Sequence, residues 1–227
     1  MLKSITKSPL RAVLGGSVLA LAVAGILNTP QAFARTVSVT ETGSTLLYPL
    51  FNLWVPAYTR SHPGVRITTQ GTGSGTGISE AISGVAQIGA SDAYMSNMQV
   101  KQNPAILNIP LAISAQTVNY NIPGLNNVHL KLSGPVLAGI YDGQIRYWNA
   151  PAIERLNPGR HLPHHLITPI HRTDGSGDTF IFSQYLSFST PYWNSHVGYG
   201  TTISWPAVPG GLGALGNPGM VQAAAPF

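Results

Sequence analysis

Three short segments of the chain share a composition that suits the binding of an anion. Each places glycines and small hydroxyl residues between a predicted strand and a predicted helix, at residues 43–46, 73–77 and 174–178. The start of a helix offers unpaired N–H groups and a partial positive charge, and glycine lets the backbone come close to an anion. One Ser or Thr at such a position is most often an ordinary N-cap. Three such segments together predict a cage of helix N-termini around one anion.

Arg172 supplies positive charge to this predicted cage. It immediately precedes the third segment, and a guanidinium can donate two parallel hydrogen bonds to a tetrahedral oxyanion. Asp174 follows two residues later and could hold that guanidinium in place. An ordinary surface ion pair is the alternative interpretation.

Asp92 follows the third predicted strand and bears on which anion would bind. A carboxylate repels a fully deprotonated anion, but it accepts a hydrogen bond from an anion that still carries a proton. Hydrogen phosphate carries such a proton, whereas sulfate at neutral pH does not. Asp92 therefore favours phosphate over sulfate or molybdate through repulsion of the wrong ion. The alternative is that Asp92 only caps a following helix at Ala93.

Motifs for other chemistry are incomplete. Ser74 and Ser176 both lack the flanking glycines of G-x-S-x-G, and the chain has no G-K-[ST] of a P-loop. One G-x-G-x-x-G is present at 211–216, but no helix is expected to follow it, so a dinucleotide site is not predicted. The three histidines within 161–165 lack a second ligand group at the usual spacing and are interpreted as a loop without metal. The absence of cysteine excludes thiolate chemistry and disulfides.

Alternating strands and helices are expected to position these segments. The first set comprises strands at 36–40, 65–69 and 86–90 and helices at 46–60 and 78–84. The second set comprises helices at 132–139 and 179–186 and a strand at 166–171. This order predicts an α/β fold with largely parallel sheets, whose ligands collect outside the carboxyl ends of the strands. The apolar, β-rich residues 108–120 are expected to leave the first set, and no closing element is expected in 209–227.

The N-terminal residues have the order of a secretory signal peptide. Basic residues within 3–11 precede an uncharged run at 12–27 and an A-x-A site that ends at Ala34. The run is shorter than the roughly 20 residues needed to span a bilayer. Removal of this segment takes three of the 12 basic residues and leaves nine against seven acidic ones, a net charge of about +2. Such a small charge gives little support for nucleic-acid binding.

Six ordered motifs give the chain a family resemblance. From about residue 36 to about residue 219 it resembles the substrate-binding protein of the high-affinity phosphate ABC transporter. The motifs are G-S-T-L at 43–46, Q-G-T-G-S-G at 70–75, G-A-S-D at 89–92, I-Y-D-G-Q-I-R-Y-W-N at 140–149, N-P-G-R-H-L-P at 157–163 and H-R-T-D-G-S-G at 171–177.

The resemblance implies an α/β type II periplasmic-binding-protein fold, with two lobes, a hinge and a ligand cleft. After the signal peptide predicted at 1–34 from the residues themselves, a first lobe is expected at 35–114 and a second lobe with the start of a return at 115–227. Family members are longer, so the C-terminal part of the fold is expected to be missing. The implied protein is a periplasmic or secreted monomer without cofactor, metal or nucleic acid. It binds inorganic phosphate, passes it to membrane permease subunits and is not an enzyme. A secreted phosphate-ester hydrolase or phosphate-scavenging protein on a related scaffold is the alternative.

The resemblance also implies a set of binding residues. The phosphate contacts would be Thr45, the backbone of Leu46, Ser74, Asp92, Arg172, Ser176 and Gly177, with Asp174 paired to Arg172. The chain departs from the family at Asp178, where a threonine is usual. A carboxylate at this position could repel a dianion, or the neighbouring Thr179 could supply the hydroxyl instead.

Overall fold

A three-stranded parallel sheet forms the first half of the structure, a computed structural model that describes residues 36–125 and 128–226. The predicted signal peptide and its cleavage after Ala34 lie outside the described residues. Strand β1 (Val37–Gly43) is central, between β2 (Val65–Gln70) and β3 (Ile88–Ala90). Both neighbours run parallel to β1, as predicted, so all three strands end at one edge of the sheet.

Helices α1 (Tyr48–Ser61) and α2 (Ser74–Ser83) connect these strands, and α3 (Asn97–Gln102) follows β3. The prediction that α2 begins near residue 78 was wrong, because its first turn already starts at Ser74. Gly77 permits this early start. A Cβ atom there would lie 2.5 Å from the carbonyl oxygen of Ala90, so only glycine lets the helix rest directly on the sheet edge.

The second half contains a smaller parallel sheet and a helical core. The elements are α4 (Gly134–Tyr141), α5 (Pro151–Glu154), β4 (Ile170–Arg172), α6 (Gly177–Ser189), α7 (Pro191–His196), β5 (Leu212–Ala214) and α8 (Gly216–Ala224). Strand β5 pairs parallel to β4, with Arg172 opposite Ala214. Within the described part of the chain, no helix combines the length and apolarity needed to cross a bilayer.

Helix α4 is buried on opposite sides and joins two apolar clusters. Val136 and Ile140 pack in one cluster with the fully buried Ile153. Leu137 packs in the other with Leu186 and Trp193, which are also fully buried. Removal of this apolar surface from water is the main force that holds the second half together.

Two sequence predictions fail in this half. The strand predicted at 166–171 begins only at Ile170, and Leu166 makes a single antiparallel bridge to Tyr147. The residues 209–227 do contain closing elements, β5 and α8. The β-rich residues 108–120 form no helix or strand, and Ile113 is fully exposed. The lobe boundary predicted at 114/115 falls among them and stays a prediction.

Candidate anion-binding site

Two serine hydroxyls hold the carboxylate of Asp92 at the carboxyl edge of the first sheet. Ser44 Oγ donates to Asp92 Oδ1 at 2.6 Å, and Ser74 Oγ donates to Asp92 Oδ2 at 3.2 Å. The Asp92 N–H donates to Ser74 Oγ at 3.1 Å. Both serines are 1% exposed, so the hydroxyls are shielded from bulk water. Asp92 is thereby fixed at the point where β1, β3 and the start of α2 meet.

Asp92 does not act as a helix cap. The next helix, α3, begins at Asn97, and Ser96 caps it by accepting a hydrogen bond from the Gln99 N–H. The alternative interpretation from the sequence, a cap at Ala93, is therefore wrong. The Asp92 carboxylate instead accepts hydrogen bonds from the hydroxyls of Ser44 and Ser74.

Arg172 is the centre of the second part of the site. It is 5% exposed, and its Nε donates to Asp174 Oδ1 at 2.6 Å while Nη2 pairs with the other oxygen of Asp174. Nη1 donates to Asn217 Oδ1 at 2.7 Å and to Asp178 Oδ2 at 3.1 Å. Both ion pairs found within residues 36–125 and 128–226 use this guanidinium. The predicted pairing of Asp174 with Arg172 is present and is bidentate.

The two neighbouring carboxyls respond to Arg172 in opposite ways. Burial works against ionisation of Asp174, but hydrogen bonds from Arg172 and from the Gly216 N–H outweigh it and lower the pKa of Asp174. Burial and the negative charge of Asp92 raise the pKa of Asp178, and Arg172 offsets only part of this effect. The difference arises because Asp174 makes the bidentate contact and Asp178 makes a single longer one.

Close backbone contacts bring the two parts of the site together. The Gly75 N–H donates to the Gly175 carbonyl at 2.8 Å. A Cβ atom at Gly177 would lie 2.6 Å from both Asp92 Oδ2 and Ser74 Oγ, so the start of α6 touches the Asp92 cluster directly. The N-termini of α2 and α6 therefore approach the same region, which is the arrangement expected of an anion cage.

The remaining predicted residues lie around this region. The Leu46 N–H donates to Ser44 Oγ at 3.1 Å, and Thr45 Oγ1 accepts a long hydrogen bond of 3.4 Å from the Asn217 N–H. Ser176 is the N-cap of α6 and accepts from the Thr179 N–H. Thr179 Oγ1 is buried and has no hydrogen-bond partner among the described residues. The structure thus brings the predicted set together.

Two site residues were missed by reasoning from the sequence. Ser44 was passed over for its neighbour Thr45, and Asn217 lay beside a motif that was set aside. The expectation that no helix follows the G-x-G-x-x-G at 211–216 was wrong, since α8 begins at Gly216. Its first residues bond Asp174 and Arg172. Strand β5 lies inside the motif, whereas a dinucleotide-binding motif follows a strand. The segment therefore does not have the layout of a dinucleotide site.

A cavity of about 730 Å³ opens beside the guanidinium. Arg172, Asp178, Thr179, Asn217 and Leu46 are among its lining residues. Of the histidines of 161–165, His165 also lines it, and His164 stacks on Tyr147. Across the described ranges, no cluster of three or more potential metal ligands occurs.

Comparison with known proteins places the chain in a family. A family model described as a PBP superfamily domain matches residues 29–226, and the chain belongs to this superfamily. The curated phosphate-binding protein PstS of Xylella fastidiosa is 37% identical over 87% of this chain and 54% of its own length. That of Methanocaldococcus jannaschii is 37% identical over 82% of this chain and 50% of its own length. The chain therefore spans about half the length of the curated relatives it matches.

Solved structures agree at the level of the fold. A Clostridium perfringens protein with bound phosphate, described as a phosphate ABC transporter substrate-binding protein, superposes with a TM-score of 0.56 at 21% identity. The match covers 82% of this chain and 65% of that one. An ABC-type phosphate transport receptor from Vibrio cholerae gives a TM-score of 0.51 at 20% identity, over 84% and 68% of the two chains. The predicted α/β fold of periplasmic phosphate-binding proteins is confirmed.

Proposed function

We propose that the chain binds inorganic phosphate outside the cytoplasm and delivers it to the permease subunits of an ABC transporter for import. The observation that carries the proposal is the contact between the Asp92 cluster and the start of α6, next to the buried Arg172. The names of the curated relatives and of the phosphate-containing structure support the same ligand.

Phosphate oxygens in this proposal are held by hydrogen-bond donors of three kinds. The hydroxyls of Thr45 and Ser176 are the first kind, joined by that of Ser74 once it releases Asp92 Oδ2. The Gly177 N–H is the second kind, joined by the Leu46 N–H once it releases Ser44 Oγ. The guanidinium of Arg172 is the third, oriented by Asp174. Helix N-termini add their partial positive charge without any ion having to be moved or desolvated.

Asp92 selects the anion by its protonation state. Its carboxylate is held by the Ser44 hydroxyl and its backbone N–H by Ser74 Oγ, so it cannot turn away from a bound ion. Hydrogen phosphate donates a hydrogen bond to this carboxylate, whereas sulfate presents only acceptors to it. An unpaired acceptor facing a like charge inside a shielded site is costly, so sulfate is rejected.

The proposed role is binding and not catalysis. The relatives carry the names of binding proteins, and the hydroxyls of Ser44 and Ser74 donate to a carboxylate rather than to a histidine base. The alternative of a secreted phosphate-ester hydrolase therefore gains no support from the geometry. A colorimetric phosphatase assay is expected to show no turnover.

Isothermal titration calorimetry tests the proposal. Phosphate is expected to bind with one site per chain, and sulfate at least about 100-fold more weakly. Equal binding of the two ions, or no binding of phosphate by the folded protein, would overturn it. Asp142→Asn is the matched control because it removes a carboxylate whose hydrogen bonds go only to Gln144. Its affinities should equal those of the unmodified chain.

A further inference from the structure

Asp178 puts a second carboxylate on the Arg172 guanidinium. It lies in the first turn of α6, and its Oδ2 accepts from Arg172 Nη1 at 3.1 Å. The same Nη1 donates to Asn217, and all three residues line the cavity. Asp178 therefore occupies a donor that an incoming anion needs.

Arg172 has few donors left for an anion. A guanidinium carries five N–H groups. Four are used, two by Asp174, one by Asn217 and one by Asp178. One N–H group remains, so an anion that takes two must displace a partner, and Asp178 is the partner with the longest contact, 3.1 Å to Nη1. The displaced carboxylate would then be a partly buried charge without a partner, which is strongly unfavourable unless it takes up a proton.

The charges around Asp178 also favour its uptake of a proton when an anion binds. Arg172 on β4 is its one cationic neighbour in the described structure, and Asp92 and Asp174 face it from the loops after β3 and β4. Helix α8 contributes only the neutral Asn217. Two carboxylates thus pair with one guanidinium before any anion arrives, and a third, Asp92, acts on Asp178. A dianion would therefore add to an excess of negative charge.

Other titratable groups near the cavity do not relieve this excess. Tyr141, His165 and His171 line the same cavity, but none of them hydrogen-bonds Asp178. His171 instead stacks on Trp205. The proton demanded by the displaced carboxylate must therefore come with the ion or from solvent.

Resting on the proposed function, we propose that Asp178 couples phosphate binding to the uptake of one proton, so that the site binds phosphate more tightly as the pH falls. The proton resides on Asp178 or on the ion, and the two cases give the same overall stoichiometry. Burial and the charge of Asp92 raise the pKa of Asp178, which favours this protonation. Affinity should rise as the pH falls toward this pKa and level off below it.

A purely structural role predicts a different result. An acidic residue in the first turn of a helix stabilises that helix through its dipole. If this were the whole role of Asp178, its neutralisation would lower the melting temperature and leave the proton stoichiometry of phosphate binding unchanged.

The test is calorimetric titration with inorganic phosphate between pH 5.5 and pH 8, in buffers of different ionisation enthalpy, which count the protons taken up. The unmodified chain should take up about one more proton per phosphate than Asp178→Asn. The ratio of its phosphate affinity to that of the variant should fall as the pH rises above the pKa of Asp178. The fall should be up to about tenfold per pH unit, because one proton is linked to binding. At pH 7.5 the variant should bind at least about tenfold more tightly. The titration of phosphate itself cancels in this comparison.

Control variants separate charge from structure. Asp178→Glu keeps the charge and should keep the extra proton, and Asp142→Asn should behave as the unmodified chain does. If Asp178→Asn does not fold, Asp178→Thr provides the same loss of charge. Equal proton counts and equal pH slopes in the unmodified and neutral variants would overturn the inference while leaving phosphate binding intact. Absence of phosphate binding in every folded variant at every pH would overturn both the inference and the proposed function.

Discussion

Replacement of Glu41 by glutamine should stabilise the protein at neutral and alkaline pH. Glu41 lies in β1, is fully buried, and neither carboxyl oxygen has a hydrogen-bond partner of normal geometry in the described residues. Burial raises the pKa of Glu41 to about 7 from its ordinary value of 4.5, and the backbone of Gln70 opposes only part of this. The folded protein therefore holds a proton that the unfolded chain releases between these two values.

The sign and size of the effect follow from proton linkage. Between pH 4.5 and about pH 7 the folded state binds one more proton than the unfolded state, so stability falls as the pH rises. Each unit of pKa difference corresponds to about 1.36 kcal/mol, so the total loss is on the order of 3 kcal/mol. Below pH 4.5 the carboxyl is protonated in both states and contributes no further pH dependence.

Urea denaturation followed by tryptophan fluorescence between pH 4 and pH 8 measures this effect. Glu41→Gln should flatten the pH dependence and raise the free energy of unfolding at pH 8 by about 2–3 kcal/mol. The exposed Glu154 provides the matched control, and Glu154→Gln should retain the slope of the unmodified chain. A slope that is the same in all three proteins would refute the reasoning, because Glu41 would then not carry the proton.

Three further predictions concern the anion site. Asp92→Asn should reduce the preference for phosphate over sulfate at least about tenfold in calorimetry, since a hydrogen bond to a charged group is worth about 1.5–3 kcal/mol; an unchanged ratio would rule out selection by Asp92. Arg172→Met should abolish phosphate binding and cost about 3–5 kcal/mol in urea unfolding, because it leaves two carboxyls without their partner; tight binding by this variant would exclude the guanidinium as a ligand. Gly177→Ala should weaken phosphate binding and cost about 1–3 kcal/mol, because its Cβ would overlap Asp92 and Ser74; a melting temperature equal to that of the unmodified chain would show that α6 can shift without loss.

The parts of the fold that follow from local pattern were predicted from the sequence. The alternation of β-branched residues in β1 and β2, followed by glycine-rich loops, fixes the order of strand and helix without long-range information. The placement of Ser74 near Asp92 followed from the rule that parallel strands end at one edge. Arg172 lies on β4 of the second sheet and was assigned to the same site by the chemistry of anion recognition. These predictions needed only element order and the chemistry of anion recognition.

The parts that failed depend on contacts between distant residues. The early start of α2 depends on the fit of Gly77 against Ala90, and strand β5 exists because Arg172 and its neighbours offer an edge for it. Asn217 lies 45 residues beyond its partner Arg172, so no spacing within a local motif could indicate the bond. Residues 108–120 are β-rich, but a strand needs a neighbour to pair with, and they form no strand in the described structure.

The hydrogen bond from Asn217 to Thr45 has a consequence for how the protein reaches its working state. It closes a loop of 172 residues, one of the most distant connections that the chain could make. Closure of a long loop costs chain entropy before the contacts that stabilise it have formed, so such contacts slow folding. The competence to capture phosphate should therefore emerge in the slowest refolding phase, after most of the tryptophan signal has already recovered.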